Sequence, residues 1–299
     1  MMIKNFDELI NTVKTRPSKT VVIAAAHTET ALDAAIMAKR ENLAECIMTG
    51  DKSFITEYLN KKAEELIDSF EIHDTGKDFT TAAEKAVQLV HEGKAQIIQK
   101  GKCDTRTLLK AILNKETGLR TGETMSDVLV YETQEKLMLM GDGGFLPLPD
   151  LHDKISVVRN CVKVAHALDI KMPKVAMLTH IETVDPKLQS TVDAALIAQM
   201  NERKQITGCI IDGPMAFDNA VSKEAASKKG IVSEVAGEAD ILVVPNIESG
   251  NIFGKTLTYY CGYRVAHVAM GAKVPVLLAS RVDDAETRYL SMILGMICA

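Results

Sequence analysis

Two apolar runs dominate the stretch from 206 to 255, and each ends in a small polar loop: IIDGP (210–214), and ILVVP (241–245) followed by NIESGN (246–251). Unbroken runs of Val, Ile and Leu are typical of strands that are buried on both faces, as in a parallel sheet. Ligands of open parallel sheets bind outside the carboxyl ends of the strands. Both loops are therefore predicted to lie where the chemistry takes place.

A third apolar run, at 274–279, ends beside a serine and an arginine and leads into an acidic segment. A hydroxyl, a guanidinium and several carboxylates thus follow one strand end: Ser280, Arg281, Asp283, Asp284 and Glu286. Guanidinium and hydroxyl groups are strong hydrogen-bond donors to phosphate and carboxylate oxygens. The cluster therefore suits an anionic substrate.

Strand and helix patterns alternate along the whole chain. Residues 21–26 read as a strand, 28–40 as a helix and 44–48 as a second strand, which makes a βαβ unit. Continued alternation predicts an α/β fold with mostly parallel sheets. The length of 299 residues exceeds that of a usual single domain and favours two α/β lobes.

The hydrophobic periodicity of the sequence does not assign every strand and helix to a lobe. Two strands, at 127–131 and 136–140, are expected at the rim of the first sheet, and the loop at 141–149 is expected to carry the chain to the second lobe. The final strand (274–279) and helix (285–297) could return to either sheet, since alternation alone does not decide between them.

Composition excludes several classes of protein. The hydrophobic fraction of 46% and the charged fraction of 25% are those of a globular protein. A net charge of -5 gives no broad basic face for nucleic acid. The six cysteines form no CxxC pair or zinc spacing, so we expect no metal site and free thiols in a reducing cytoplasm. No signal-like segment or membrane-length apolar run is present, which predicts neither secretion nor membrane insertion.

The usual motifs of several enzyme classes are missing. No GxGxxG follows the strand at 21–26, and the chain has no GxxxxGK[ST], GxSxG or HExxH. Trp is absent, and aromatic residues make up only 4% of the chain. Dinucleotide-dependent hydride transfer, ATP hydrolysis, serine hydrolysis and base stacking therefore lack their usual sequence support.

Several long strings resemble the phosphate acetyl/butyryl transferase family, and most closely its butyryl-transferring members. The resemblance covers nearly the whole chain, with matches at KAILNKE (110–116), GCIIDGP (208–214), DNAVS (218–222), SEVAGEADIL (233–242), GNI (250–252) and SR (280–281). It implies a phosphate butyryltransferase-like exchange of an acyl group between CoA and phosphate. Acyl-CoA, inorganic phosphate and acyl phosphate would be the ligands, with no tightly bound cofactor and no metal.

The resemblance also implies an architecture. Two α/β lobes of the isocitrate/isopropylmalate dehydrogenase type would enclose an active-site cleft, with a first lobe at 1–141 plus 270–299 and a second at 142–269. The final strand and helix would then return to the first lobe. A cytoplasmic homo-oligomer is expected.

Catalytic roles follow from the same resemblance. Ser280 and Arg281 would bind the phosphate, and Asp283 or Glu286 would accept the proton of the CoA thiol. The spacing of these two carboxylates also fits a helix cap, with Asp283 as N-cap and Glu286 as its capping-box partner. In acetyl-transferring relatives the equivalent position, counted without gaps, would be Thr287, so the identity of the base stays open.

Further residues are candidates for substrate binding: His27, Gly101, Thr105, Asp142, Asp212, Asn246, Ser249, Gly250 and Asn251. Several of them have a structural alternative. His27 could be an ordinary satisfied polar group, and either Asp104 or Thr105 could cap the helix that follows Gly101. The Gly250-Asn251 pair could form a tight turn with a left-handed Asn. Asp212 could merely end a strand.

Three other functions are weighed against the butyryl transfer. A phosphate acetyltransferase shares the chemistry and differs in acyl chain. A noncatalytic acyl-CoA sensor would bind the thioester without phosphate-dependent cleavage. An oxidoreductase related to isocitrate dehydrogenase would reduce a nicotinamide. Turnover assays with different acyl-CoA esters separate these possibilities.

Overall fold

The computed structural model describes residues 2–280 and 282–299. Helices and strands alternate, as the sequence predicts, and the chain separates into two compact units. The terminal unit consists of Phe6–Glu123 and Val265–Ala299. The central unit consists of Thr124–Arg264 together with the first few residues of the chain.

The elements have the following bounds. The first segment of the terminal unit contains α1 (Phe6–Lys14), β1 (Lys19–Ala24), α2 (Glu29–Arg40), β2 (Ala44–Gly50), α3 (Lys52–Ala63), a 3₁₀ helix (Glu64–Ser69), β3 (Glu71–Asp74), α4 (Phe79–His91), β4 (Ile97–Lys100) and α5 (Thr105–Ile112). The central unit contains β5 (Ser126–Glu132), β6 (Leu137–Gly141), α6 (Leu151–Ala167), β7 (Lys174–Leu178), α7 (Gln189–Glu202), β8 (Ile210–Met215), α8 (Phe217–Val221), α9 (Lys223–Lys228), β9 (Ile241–Val243) and α10 (Ile247–Tyr259). The second segment of the terminal unit contains β10 (Val265–Met270), β11 (Val276–Leu277) and α11 (Ala285–Cys298).

In the terminal unit, the strands run in the order β3-β2-β1-β4-β11-β10. The first five are parallel, and β10 is antiparallel to β11. Val276 of β11 pairs with Ile98 of β4, so the end of the chain returns to the sheet of the first strands. Gly295 of α11 sits close to Leu277, because a Cβ there would lie only 3.0 Å from the leucine Cδ2. The sequence left the placement of the final strand and helix open. The pairing of β11 with β4 and the packing of α11 on Leu277 assign both elements to the terminal unit.

In the central unit, the strands run in the order β5-β6-β9-β7-β8. The pair β5–β6 is antiparallel, whereas β6, β9, β7 and β8 are parallel to one another. The prediction that β5 and β6 lie at the rim of the first sheet is wrong, because Leu139 of β6 pairs with Ile241 of β9. The loop at 141–149 accordingly joins β6 to α6 within this unit.

These pairings explain why the compact units differ from the boundaries expected from the sequence. Residues 124–141 belong to the central unit because β5 and β6 pair there. Residues 265–269 belong to the terminal unit because β10 pairs with β11. The chain therefore passes between the units at 123/124 and 264/265.

Because neighbouring strands are parallel, several of them end at the same edge of each sheet. In the terminal unit, β1, β4 and β11 end together, and polar residues follow each of them. In the central unit, β6 and β9 end together, followed by Asp142 and by the start of α10. No helix within residues 2–280 and 282–299 is both long and apolar enough to cross a bilayer.

Candidate active site

The residues that follow β4 are hydrogen-bonded to the end of β1. The backbone N–H of Gly101 donates to Ala24 O at 2.8 Å, and that of Lys102 donates to Ala25 O at 2.8 Å. A Cβ on Gly101 would lie 2.2 Å from Ala25 O, so only glycine fits this approach. Gly101 is therefore required for the packing of the two strand ends, whether or not it touches a ligand.

A buried lysine ends the same strand. Lys100 is only 6% exposed, and its Nζ donates to Thr105 Oγ1 at 3.1 Å. Thr105 is the first residue of α5, while the N-cap is Asp104, whose carboxylate accepts the Thr107 N–H at 2.9 Å. The choice between Asp104 and Thr105 as cap is thereby settled. The Thr105 hydroxyl instead holds the lysine ammonium at the edge of the sheet.

The turn after β11 is organised by Asp283. The Ser280 N–H donates to Asp283 Oδ2 at 2.7 Å, and the Asp283 N–H donates back to Ser280 O at 3.3 Å. Asp284, not Asp283, is the N-cap of α11, because it accepts the Thr287 N–H at 2.8 Å. Glu286 lies exposed in the first turn of α11. Arg281 lies outside the described residues.

Arg288 connects the two strand ends. Its guanidinium donates to Lys100 O at 3.2 Å and to Ser280 O at 3.0 Å, and the residue is only 3% exposed. Burial lowers the pKa of Arg288, and the nearby Asp283 carboxylate opposes that shift. Sequence reasoning missed this residue. The available signal was that Arg288 is the only cation of α11 and precedes the largely apolar run 289–297.

His27 is packed rather than presented to solvent. It is 4% exposed, it stacks on Phe79 with ring centroids 5.6 Å apart, and its Nδ1 accepts the Asp51 N–H at 3.4 Å. Burial, followed by the charge of Lys102, lowers the pKa of His27. A neutral imidazole that uses Nδ1 as acceptor carries its proton on Nε2. These contacts match the alternative in which His27 is a satisfied polar group of the core.

Asp142 is buried at the end of β6 and organises the loop that follows. It is 3% exposed, and its carboxylate accepts the N–H groups of Asp127 at 2.7 Å, Phe145 at 2.9 Å and Leu146 at 2.7 Å. Burial and the neighbouring Asp127 charge raise the pKa of Asp142 to about 6, against the effect of these donors. The carboxylate therefore faces the backbone of its own unit.

The first turn of α10 packs on that loop. Asn246 is the N-cap and accepts the Ser249 N–H at 3.0 Å, while Ser249 Oγ donates to Asn246 O at 2.9 Å. A Cβ on Gly250 would lie 2.6 Å from Asp142 O, and Asn251 Nδ2 donates to Gly143 O at 3.4 Å. Gly250 and Asn251 are both helical, so the alternative of a tight left-handed turn is wrong.

Asp212 lies inside a strand rather than in a loop after it. Strand β8 continues through Gly213 and Pro214 to Met215, and Asp212 pairs with Ala176 of β7. Its Oδ1 accepts the N–H of Gly213 at 2.7 Å. The sequence expectation that the strand ends at the Asp-Gly-Pro segment is therefore wrong.

Comparison with known proteins shows the family of this chain. The family model described as phosphate acetyl/butaryl transferase matches residues 52–295. The chain belongs to the phosphate acetyl/butyryl transferase family. It is 45% identical over 300 aligned positions to a phosphate butyryltransferase of Clostridium beijerinckii, covering 100% of this chain and 99% of that one.

Two further relatives show how widely the family extends. The chain is 40% identical to a phosphate acetyltransferase of Thermotoga maritima, covering 94% of this chain and 95% of that one. A crystal structure of a branched-chain phosphotransacylase from Enterococcus faecalis superposes with a TM-score of 0.82 at 31% identity, covering 94% of this chain and 98% of that chain. This chain and the branched-chain phosphotransacylase thus share one architecture.

The phosphotransacylase fold brings the predicted residues into two groups. In the terminal unit, Gly101, Thr105, Ser280 and Asp283 surround neighbouring strand ends. In the central unit, Asp142 contacts the helix turn that carries Asn246, Ser249, Gly250 and Asn251. Among the described residues, no group of His, Cys, Asp and Glu side chains is arranged to hold a metal ion.

Substitution of Gly250 by Ala is expected to impair phosphate-dependent acyl transfer. The new methyl group would press on Asp142 O, 2.6 Å away, and displace the loop that Asp142 holds. A displacement of about 1 Å near a reacting group lowers a rate by roughly 100-fold. Steady-state kinetics and thermal melting of the variant measure activity and folding separately.

Gly254, one turn later in α10, provides the matched control. A Cβ there would meet Leu129 Cδ2 at 3.3 Å, and a flexible side-chain end can yield. Gly254→Ala should keep wild-type kinetics and gain helix propensity. Equal activity of Gly250→Ala and Gly254→Ala would contradict the proposed need for close contact.

Replacing Arg288 by Met is expected to lower the free energy of unfolding by roughly 1.5–3 kcal/mol, because two buried carbonyls lose a charged donor. Arg288→Lys, which keeps the charge and can reach one carbonyl, should lose less. Urea unfolding measures both variants, with the exposed Arg203→Met as control. A Met variant as stable as the wild type would show that the two carbonyls do not depend on Arg288.

Proposed function

We propose that this protein is a phosphate acyltransferase that exchanges the acyl group of a short-chain acyl-CoA, preferentially butyryl-CoA, between CoA sulfur and phosphate oxygen. The observation that carries the proposal is the 45% identity over the full chain to a phosphate butyryltransferase. Ser280 supports it, since a hydroxyl donor in a turn held by Asp283 and Arg288 suits an oxyanion.

The proposed reaction is a reversible displacement at one carbonyl carbon. Toward acyl phosphate, a phosphate oxygen attacks the thioester carbonyl, the C–O bond forms, the C–S bond breaks, and CoA leaves as a thiolate that takes up a proton. In reverse, the CoA thiol loses its proton, the thiolate attacks the acyl phosphate carbonyl, and phosphate leaves. Because a free thiol has a pKa of about 8.5, a general base assists the reverse direction.

Phosphate binding is assigned to Ser280 and Arg281 at the end of β11. A guanidinium binds two phosphate oxygens at once and keeps its charge in both directions of the reaction. Ser280 itself lies in a turn held by Asp283 and Arg288, so its hydroxyl needs little reorganisation when phosphate binds. In the central unit, Gly250 and Asn251 at the start of α10 are proposed to contact phosphate or the pantetheine chain, as the family resemblance implies.

We assign the role of proton acceptor to Glu286 rather than Asp283. One carboxylate oxygen of Asp283 accepts the Ser280 N–H at 2.7 Å, which gives that side chain a structural task. Glu286 is exposed in the first turn of α11, where a side chain can reach a ligand at the strand ends. Asp283 then orients the turn while Glu286 takes the thiol proton.

The two carboxylates should respond differently to amide substitution. Glu286→Gln removes a general base and should lower kcat of the thiol-acylating direction by roughly 100- to 10,000-fold. Asp283→Asn keeps an acceptor for the Ser280 N–H and should retain most activity. The reverse ranking would move the base to Asp283, and full activity of both variants would place the proton acceptor elsewhere.

A thiol-release assay tests the class of reaction and the acyl preference together. Wild-type protein should release CoA from butyryl-CoA only when phosphate is present, and faster than from acetyl-CoA. Preference for acetyl-CoA would favour the activity named for the Thermotoga maritima relative. Binding of acyl-CoA without thioester loss would instead indicate a sensor.

Arg281→Ala in the same assay should lower kcat/KM for phosphate by roughly 100- to 1,000-fold while the melting temperature stays unchanged. The exposed Arg203→Ala serves as control. Normal phosphate dependence of Arg281→Ala would end that assignment.

A further inference from the structure

The backbone of Ser280 is fixed while its hydroxyl is not. The Ser280 N–H donates to Asp283 Oδ2 at 2.7 Å, and the Ser280 carbonyl accepts the Asp283 N–H at 3.3 Å and the Arg288 guanidinium at 3.0 Å. The Ser280 hydroxyl has no hydrogen-bond partner within residues 2–280 and 282–299. A fixed backbone that carries an unpaired hydroxyl is the arrangement of a preorganised donor to a ligand.

Arg288 approaches this turn from the second turn of α11. Its Nη2 donates to the Ser280 carbonyl, and its Nη1 donates to the Lys100 carbonyl at 3.2 Å. Lys100 is the last residue of β4, the strand that pairs with β11. A guanidinium is planar and presents its donors in a rigid fork. The place of Ser280 is therefore set relative to the end of the neighbouring strand.

Packing alone does not account for an arginine at this position. Arg288 is only 3% exposed, and its Nε has no hydrogen-bond partner in the described part of the chain. The two acceptors described for its guanidinium are neutral carbonyls, although the Asp283 carboxylate is near enough to act on its charge. Burying a cation with incompletely paired donors costs free energy. Such departures from ordinary core composition are expected at functional sites.

We propose that Arg288 is a positioning residue for phosphate, which fixes the Ser280 carbonyl and thereby directs the Ser280 hydroxyl toward an oxygen of inorganic phosphate or of acyl phosphate. This assignment rests on the acyl-transfer function proposed above, in which Ser280 binds phosphate. Arg288 acts through Ser280 rather than on the ligand, because Nη1 and Nη2 both bind backbone carbonyls of a buried site.

Two substitutions of Arg288 separate its geometry from its charge. Arg288→Met binds neither carbonyl and should raise KM for phosphate by roughly 10- to 100-fold, because misplacing a group by about 1 Å costs up to about 100-fold. Arg288→Lys keeps the charge, can reach one carbonyl and should give a smaller rise. KM for butyryl-CoA should stay at the wild-type value in both variants. A wild-type KM for phosphate in Arg288→Lys, or an equal rise in both KM values, would overturn the assignment.

Ser280→Ala tests whether Arg288 acts through the hydroxyl. Arg288→Lys should raise KM for phosphate in the wild-type background and have no further effect when combined with Ser280→Ala. Additive effects of the two substitutions would mean that they act independently and would overturn the assignment.

Ile293→Val is the matched control for stability, because it removes one methyl group from a fully buried residue of the same helix. It should keep the wild-type KM for phosphate. A KM raised as much as in Arg288→Lys would trace the effect to a weakened helix and would count against a positioning role.

Calorimetric titration with inorganic phosphate alone makes the result independent of turnover. Wild-type protein should bind phosphate, and Arg288→Lys should bind it more weakly at a temperature where circular dichroism shows both proteins folded. Equal affinities would refute the role of Arg288, whereas acyl transfer by the wild type would still stand. Weaker binding by Arg288→Lys together with no thioester cleavage by the wild type would refute the proposed reaction and leave the positioning role in place. If Arg288→Met fails to fold, Arg288→Lys alone decides the outcome.

Discussion

The strand-end cluster of the terminal unit depends on one buried guanidinium. Arg288 donates to the carbonyls of Lys100, the last residue of β4, and of Ser280, three residues after the end of β11. A buried acceptor without a partner costs free energy, and one guanidinium supplies a donor to both carbonyls. The turn after β11 therefore depends on a residue of the helix that follows it.

In the central unit a buried negative charge, the Asp142 carboxylate, likewise binds backbone groups. The Asp142 carboxylate gathers the N–H groups of Asp127, Phe145 and Leu146, and so sets the path of the loop after β6. The start of α10 then packs on that loop through Gly250, where a side chain would not fit. In each unit a buried charge therefore fixes the backbone at the ends of neighbouring strands.

Sequence patterns predicted the alternating α/β fold and the residues at strand ends, because buried parallel strands and the loops after them have strong local signals. They could not assign β11 to a sheet, since two residues of strand pair with β4 through contacts distant in sequence. The cap of α11 was misplaced by one residue, from Asp284 to Asp283, because adjacent acids offer the same spacing. Arg288 was missed because its partners are main-chain carbonyls, which leave no trace in side-chain identity.

The same contacts explain why related enzymes can differ in acyl group without changing the fold. Transfer between sulfur and oxygen needs a fixed oxyanion site in both directions. At the site proposed for this chain, the contacts that hold the turn at Ser280 involve backbone atoms together with Asp283 and Arg288. The acyl chain is apolar, and one methylene changes selectivity by only about 1–3 kcal/mol. Residues that touch the acyl chain can therefore vary without a change of fold, and a branched-chain phosphotransacylase does share the architecture of this protein.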